Sequence, residues 1–286
     1  MSTTMTTDPS TGTGLTTNGN GSQSLRWALA DSWTIARRNF IHLRRVPEKV
    51  VGMVLVPIVT VLLFGYVFGN AISLPGGGDY REFLLPGIFA QTMMFGIVAT
   101  ASTISTDAAR GVMDRFRSMP MSRSAVVLGQ ATVDLVNSKI EIVVMVICGL
   151  LIGWTSQGSP GETLGAFGLL LLLRFAFTWV GLYIGLLVRS PDSAALFMPL
   201  LLPVTMIANT FVPTQFMPSV LGTVAEWDPL SATVAAIRDL FGNPTATTAD
   251  VALPLQNPIL GAVAWPIVIL VIFVPLTLRR FQNLSR

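Results

Sequence analysis

Residues 164–188 read LGAFGLLLLLRFAFTWVGLYIGLLV, and this run decides the class of fold. Its single charged residue is Arg174, near the middle. About 20 consecutive apolar residues are enough for a helix to cross the hydrocarbon core of a bilayer. Only 12% of the 286 residues are charged, roughly half the share typical of a soluble domain. The sequence therefore predicts an all-α integral membrane protein.

The apolar runs predict six transmembrane helices with both termini in the cytoplasm. The predicted spans lie near residues 50–69, 84–105, 131–153, 164–188, 194–213 and 259–278. Lysine and arginine concentrate before the first span, between the second and third, and after the last. The opposite side carries only Arg81 and Arg238, against seven acidic residues. Because cytoplasmic loops carry the excess of Lys and Arg, this bias sets the orientation, and an even number of spans follows.

The N-terminal residues divide into a tail and a helix. Residues 1–23 consist mostly of Thr, Ser, Gly and Asn, which predicts a disordered cytosolic tail. In residues 24–48 apolar residues recur in steps of three and four, with arginines beside them. This pattern predicts an amphipathic helix that lies along the membrane surface, although an ordinary cytosolic helix is the alternative. Residues 49–286 then form the predicted transmembrane domain.

The segment between the fifth and sixth spans, about 214–258, is unusually apolar for an external loop. Ser231 is expected to cap a short helix that ends at Gly242, with Val234, Ile237 and Phe241 on one face. We interpret the segment as two short helices that enter the outer leaflet and return. A loosely attached surface helix is the alternative.

The residues needed for catalysis are missing from the sequence. A phosphate-binding P-loop needs a lysine followed by Ser or Thr, whereas Lys49 and Lys139 are followed by Val and Ile. One histidine and one cysteine make a Cys/His metal site implausible. The arginines cluster beside apolar spans, which argues against nucleic acid as a partner. We therefore predict that the chain is not an enzyme and holds no metal or cofactor of its own.

Two charged residues inside predicted spans are candidates for function, because such charges are costly in a membrane. Arg174 lies in the fourth span, and Glu141 lies several residues inside the third. We expect the two to form a structural ion pair. A proton relay or a contact with a transported molecule are the alternatives.

Several stretches resemble a known family. They are FGYVFGNAI at the end of the first span, LLPGIFAQTMMFG in the second, TDAARGVMDRFRSMPMSRSAVVLGQ after it, and FVPTQFMPSVLGTVAEWDPLSATVAAIRDLF after the fifth. Together they are similar to the permease subunits of ABC-2-type transporters, especially the daunorubicin-resistance branch. The likeness covers nearly all of the chain from residue 25. One departure is Asp228-Pro229, where the family often has Asn-Pro; both cap a helix.

The resemblance implies a permease in the cell membrane that exports hydrophobic drugs, antibiotics or lipid-like molecules. Its implied partners are a separate ATPase subunit, which binds ATP and Mg, and a second permease copy, identical or different. It implies three functional segments. A cytosolic coupling helix would contact the ATPase through Gly111, Met113, Asp114, Arg115, Phe116, Arg117, Pro120 and Arg123. The connector helix would contribute Trp33, Arg37, Arg38 and Phe40, and the re-entrant exit segment Phe211, Pro213, Pro218, Trp227, Asp228, Pro229 and Arg238.

Three other functions compete with a drug exporter. A secondary transporter driven by an ion gradient would need no ATPase and would show inverted repeats, which the sequence lacks. A non-transporting membrane protein, such as a sensor or scaffold, is a second alternative. Within the ABC class, export of a complex lipid or glycolipid is equally compatible with an apolar pathway.

Overall fold

A computed structural model describes residues 79–109, 123–188, 190–245 and 251–283, together with a few positions between 55 and 63. The predicted tail, connector helix and most of the first span (50–69) lie outside the described residues. Nearly all of the coupling segment lies outside them as well. The described chain is helical, and its helices are numbered here in chain order.

Four helices are long and apolar enough to cross a membrane. They are α1 (Tyr80–Ala109), α2 (Arg123–Ile152), α3 (Pro160–Leu187) and α9 (Pro258–Asn283). Each contains one of the predicted spans apart from a residue or two at the ends. The all-helical membrane fold is therefore confirmed, with four candidate spans in the described part of the chain.

Helix α3 shows how local sequence sets a helix end. The Ser159 hydroxyl accepts a hydrogen bond from the Glu162 N–H, and the Glu162 carboxylate accepts one from the Ser159 N–H at 2.7 Å. Pro160 occupies the first helical position, where its missing N–H costs nothing. This reciprocal capping box fixes the start of the helix that carries Arg174.

The predicted fifth span is not one continuous helix over 194–213. It is divided into α4 (Pro191–Ala195) and α5 (Met198–Ile207), and the chain leaves the helix at Ala208. Pro199 explains the first break, because its ring clashes with the carbonyl four residues earlier, which belongs to Ala195. The resulting apolar stretch is shorter than the prediction.

Two short helices follow α5, as the sequence predicts for the return segment. After a 3₁₀ turn (Thr214–Phe216) come α6 (Ser219–Glu226) and α7 (Pro229–Phe241). Gly242 ends α7 with φ of 68°, a left-handed conformation that favours glycine. The predicted cap at Ser231 is wrong. Asp228 caps α7 by accepting from the Leu230 N–H at 3.1 Å, and α8 (Leu253–Gln256) leads into α9.

Helices α1 and α3 form the centre of the bundle, with α7 packed against both and against α9. Gly181 and Gly185 of α3 allow close approach. A Cβ at these positions would lie 2.7 Å from the Ile97 carbonyl oxygen and 2.8 Å from that of Ala101. The outer faces of α2 and α9 are mostly exposed and apolar, as expected for surfaces that face lipid.

Candidate functional site: two buried arginine centres

The first buried polar cluster, the Arg174 centre, lies in the middle of the bundle. Arg174 Nε and Nη2 donate to the two carboxylate oxygens of Asp134 on α2, at 3.1 and 2.9 Å. Nη1 donates to the Met93 carbonyl of α1 at 3.3 Å. The Arg174 side chain is only 2% exposed. One guanidinium therefore connects α1, α2 and α3.

Asp134, rather than Glu141, is the main partner of Arg174. The Asp134 carboxylate also accepts hydrogen bonds from the hydroxyls of Thr178 and Thr100, the latter at 3.2 Å. The Glu141 carboxylate lies 3.8 Å from Arg174 Nη1, close enough for an ionic contact but too far for a hydrogen bond. Both charges have lost their hydration, and the surrounding hydrogen bonds offset part of that desolvation cost.

Gly96 provides the space for this guanidinium. A Cβ at position 96 would lie 1.1 Å from Arg174 Nη1, which is sterically impossible unless the arginine moves. The arginine and its two carboxylate hydrogen bonds consequently depend on a glycine in the facing helix. The sequence contains a signal that could have identified Asp134. Asp134, Ser138 and Glu141 follow at steps of four and three on α2, so they form a polar stripe in an apolar helix.

The second cluster, the Arg238 centre, lies at the end of the bundle where α1 begins. Arg238 of α7 is completely buried. Its Nε donates to the Phe83 carbonyl at 2.7 Å, Nη1 to the Asn209 side chain at 2.8 Å, and Nη2 to the Thr210 carbonyl at 3.0 Å. The guanidinium carbon lies 3.4 Å from the centre of the Phe83 ring, a cation–π contact. Arg238 thus joins α7 to the start of α1 and to the break after α5.

The Arg238 centre contains no carboxylate among the residues that the structure describes. Its neighbours are neutral: Ser231 Oγ accepts from the Asn209 N–H at 3.0 Å, and the Tyr80 hydroxyl donates to the Phe211 carbonyl at 2.7 Å. The positive charge is stabilised by carbonyl dipoles and a ring face instead of a counter-charge. Each donor is directed at a fixed acceptor, so the centre specifies the position of α7 closely.

An aromatic group holds the far end of α7. The rings of Trp154 and Phe241 meet edge to face with centroids 5.1 Å apart, and Phe89 contacts both. Trp154 Nε1 donates to the Asn243 side chain at 2.9 Å. The N–H groups of residues 157 and 158 donate to the Phe241 carbonyl, at 2.8 and 3.0 Å. Neither this group nor the role of Asn209 is visible in the sequence pattern, because these contacts join residues far apart in the chain.

The structure places the predicted exit residues in different environments. Phe211 is buried, whereas Trp227 is half exposed. Pro213 and Pro218 precede the 3₁₀ turn and α6, and Pro229 is the first residue of α7. Arg238 is the only one of the seven in a buried charged centre. Arg123 is the first residue of α2, and the other coupling residues and the connector residues lie outside the described part.

Burial raises the pKa of the Asp228 carboxyl to about 6, although the hydrogen bond from the Leu230 N–H lowers it in part. Its second carboxylate oxygen has no hydrogen-bond partner among the described residues. Desolvation of the charged form without a compensating cation accounts for this direction. Within the same described ranges, no group of three or more His, Cys, Asp or Glu side chains could hold a metal ion.

The long apolar helices and the charges buried between them define a multi-pass membrane protein. The sequence profile of the ABC-2 type transporter family matches residues 31–241. A daunorubicin resistance ABC transporter permease, DrrB1 of Streptomyces coeruleorubidus, is 29% identical over 90% of this chain and 87% of its own length. A doxorubicin resistance permease, DrrB of Mycobacterium tuberculosis, is 24% identical over 68% of this chain and 67% of its own. The putative transport permease ycf38 of Porphyra purpurea is 27% identical over 73% of both.

The chain belongs to the ABC-2 type transporter family, and it is a permease subunit homologous to permeases of drug-resistance exporters. Permeases of this family are not catalytic, and ATP hydrolysis belongs to a separate ATPase subunit.

Proposed function

We propose that this permease exports hydrophobic molecules from the cell, driven by a separate ATPase that binds ATP and Mg. It would act in the cell membrane as one of two permease copies, with both termini in the cytoplasm. The main support is similarity to a daunorubicin resistance permease over 90% of the chain. The geometry is compatible with this function, because the described bundle presents apolar outer faces on α2 and α9.

The return segment is the proposed exit region. Under the positive-inside orientation, the start of α1 and both ends of α7 lie on the outer side of the membrane. Helix α7 is buried from Leu230 to Arg238. Such a short buried helix between spans is tolerated when protein covers it, as α1, α3 and α9 do here. An exported molecule would leave the bundle beside α6 and α7.

The coupling segment 111–129 and the connector 24–48 are the proposed contacts with the ATPase. Asp114, Arg115 and Pro120 form an arrangement that positive-inside charge alone does not require. We expect Arg115→Glu and Phe116→Ala to leave membrane abundance near normal while export falls sharply. Less ATPase should co-purify on a tagged permease, especially at high salt for Arg115→Glu. Normal export and ATPase recovery in both variants would contradict this assignment and favour the connector.

Inverted membrane vesicles test the proposed function. They should contain the permease alone, the ATPase alone, or both, and accumulation of a fluorescent hydrophobic drug should be followed. We expect accumulation only with both subunits and ATP. Accumulation driven by a proton gradient in permease-only vesicles would instead support a secondary transporter. A fluorescent phospholipid in the same vesicles distinguishes lipid export from drug export, because the preferred substrate should also stimulate ATP hydrolysis more.

The hydrogen bonds of Asp134 argue against a proton relay through this residue. A proton relay needs a carboxylate that can exchange its proton during transport. Asp134 accepts hydrogen bonds from Arg174, Thr100 and Thr178, so it is already engaged as a structural acceptor.

A further inference from the structure

Two adjacent arginines, Arg279 and Arg280, lie near the end of α9, far along the helix from its contacts with α7. Arg279 is exposed and Arg280 is partly exposed. Neither side chain forms an ion pair or a hydrogen bond with a residue that the structure describes. The Nε atom of Arg280 is inaccessible and has no hydrogen-bond partner there. Two positive charges therefore lie together at this end of the helix without an acceptor among the described residues.

Packing on both sides of Arg280 holds this part of α9 against the bundle. Thr277, three residues earlier, is buried, and its hydroxyl donates to the Trp179 carbonyl of α3 at 3.3 Å. Phe281, the next residue, packs against a cluster of buried side chains that includes Trp179 and Leu186. The stem of Arg280 is covered as far as Nε, so the two terminal nitrogens are the ones left for a ligand. A side chain held in this way loses less conformational entropy when it binds.

An exposed apolar stripe of α9 leads to the two arginines. Val268, Ile272 and Leu276 are exposed and follow at steps of four, and Arg279 comes three residues later on the same face. From Val268 to Arg279 the helix rises about 16 Å, close to half of the roughly 30 Å hydrocarbon core of a bilayer. The surface is therefore apolar over the depth of one leaflet and positive at its edge. A molecule with apolar chains and an anionic head group is complementary to it.

We propose that this end of α9 binds an anionic phospholipid of the surrounding membrane. The phosphate would accept hydrogen bonds from the terminal nitrogens of Arg280 and from Arg279, and the acyl chains would lie along Ile272 and Leu276. Guanidinium groups suit this role, because they bind phosphate through two parallel N–H···O bonds. Under the proposed orientation the lipid belongs to the cytoplasmic leaflet, where anionic lipids attract basic residues. The choice of leaflet rests on the proposed function, whereas the binding itself does not.

Spin-labelled phosphatidylglycerol and phosphatidylcholine with the same acyl chains provide the test. The full-length permease is reconstituted in phosphatidylcholine vesicles, with and without its ATPase, and electron paramagnetic resonance measures how much of each labelled lipid the protein immobilises. We expect phosphatidylglycerol to associate at least about threefold more strongly in both preparations. Arg280→Gln should lower this preference to about half or less, and Arg279→Gln with Arg280→Gln should abolish it. Lys139→Gln removes an exposed positive charge from α2, away from the site, and is the matched control that should leave the preference unchanged.

Equal association of the two lipids with the unmodified permease would overturn the proposal, as would an undiminished preference in the double variant. An equal loss in Lys139→Gln would show that net charge, and not this site, sets the preference. A preference that disappears when the ATPase is present would assign the arginines to the ATPase contact instead. Excess glycerol phosphate at constant ionic strength should not displace the lipid, and displacement would indicate a site for free phosphate. The assay needs neither ATP nor a transported molecule, so failure of export and failure of this site are separate results.

Discussion

Arg174 and Arg238 are both buried, but the surroundings of the two guanidinium groups differ in kind. Arg174 meets a carboxylate in two hydrogen bonds, in the middle of three long helices. Arg238 meets two carbonyl oxygens, an amide oxygen and a ring, at the end of the bundle. Removing one member of an ion pair leaves the opposite charge buried, whereas removing Arg238 leaves only neutral acceptors. The first centre therefore matters most for the stability of the fold, and the second for the position of α7.

Labelling of Cys148 can measure the stability of variants at the two arginine centres. It is the single cysteine of the chain, and its side chain is buried. A fluorescent maleimide should react with it only as the helices separate, so the labelling temperature reports unfolding in detergent.

The largest effect is expected for Arg174→Met. It leaves Asp134 as an unpaired buried charge, at a cost of about 3–5 kcal/mol. The double variant Arg174→Met with Asp134→Leu should recover most of the lost stability, because both charges are then absent. Pairing Arg174→Met with Glu141→Leu should recover much less. Thermal labelling of Cys148 measures all three variants, and equal recovery by both pairs would contradict the assignment of Asp134 as the main partner.

Arg238→Met should lower the free energy of unfolding by less, about 1–3 kcal/mol, because only hydrogen bonds to neutral groups are lost. No neutralisation of an acidic residue in the described ranges should restore it, because no such residue pairs with Arg238. Arg279→Met, at an exposed arginine of α9, is the control, and its labelling temperature should stay close to that of the unmodified chain. A loss as large as that of Arg174→Met would show that Arg238 has a hidden counter-charge.

Gly96→Ala should destabilise by about 1–2 kcal/mol through overpacking, because its methyl group occupies the position of the Arg174 guanidinium. The loss should disappear in the Arg174→Met background, where that guanidinium is absent. Gly129→Ala is the matched control, since a Cβ there has nothing within 4 Å and alanine favours the helix. If Gly96→Ala costs the same in both backgrounds, the glycine serves some contact other than Arg174.

Asp228→Asn is expected to give the smallest effect, on the order of 1 kcal/mol at pH 7.5. The pKa of Asp228 is raised from the ordinary 3.8 to about 6, so the folded chain binds this proton more tightly than the unfolded chain. Stability should therefore fall as the pH rises from about 4 to about 6. Asparagine keeps the cap without the charge, and the variant should be more stable than the unmodified chain at pH 7.5 but not at pH 4. A constant difference between the two pH values would rule out this titration, and Asp192→Asn controls for an exposed carboxylate.

The sequence predicts the long helices well because their apolar runs are local signals. The break between α4 and α5 was also predictable in principle, since Pro199 excludes a helical bond to Ala195, but hydropathy alone conceals it. The sequence pattern predicts a cap at Ser231, although Asp228-Pro229 is the stronger capping pair. The Ser231 hydroxyl instead accepts a hydrogen bond from the Asn209 N–H, a contact between residues 22 positions apart.

The candidate site is less predictable than the fold. Arg174 and Arg238 stand out in the sequence because they are charges in apolar surroundings. Their partners do not stand out, because Phe83, Met93 and Thr210 contribute backbone carbonyls that every residue possesses. The choice of Asp134 over Glu141 depends on how α2 is rotated against α3, and a pattern of spacings does not set that rotation.

The most direct test of the proposed role of α7 is ATP-driven export by Arg238→Met in vesicles that contain the ATPase, normalised to the amount of folded permease. We propose that Arg238 holds α7 in the exit region, so we expect export to fall at least about fivefold while the ATPase still co-purifies. The double variant Arg174→Met with Asp134→Leu should keep most of its export under the same conditions. Normal export by folded Arg238→Met permease would contradict the proposed role of α7 and of the centre that holds it.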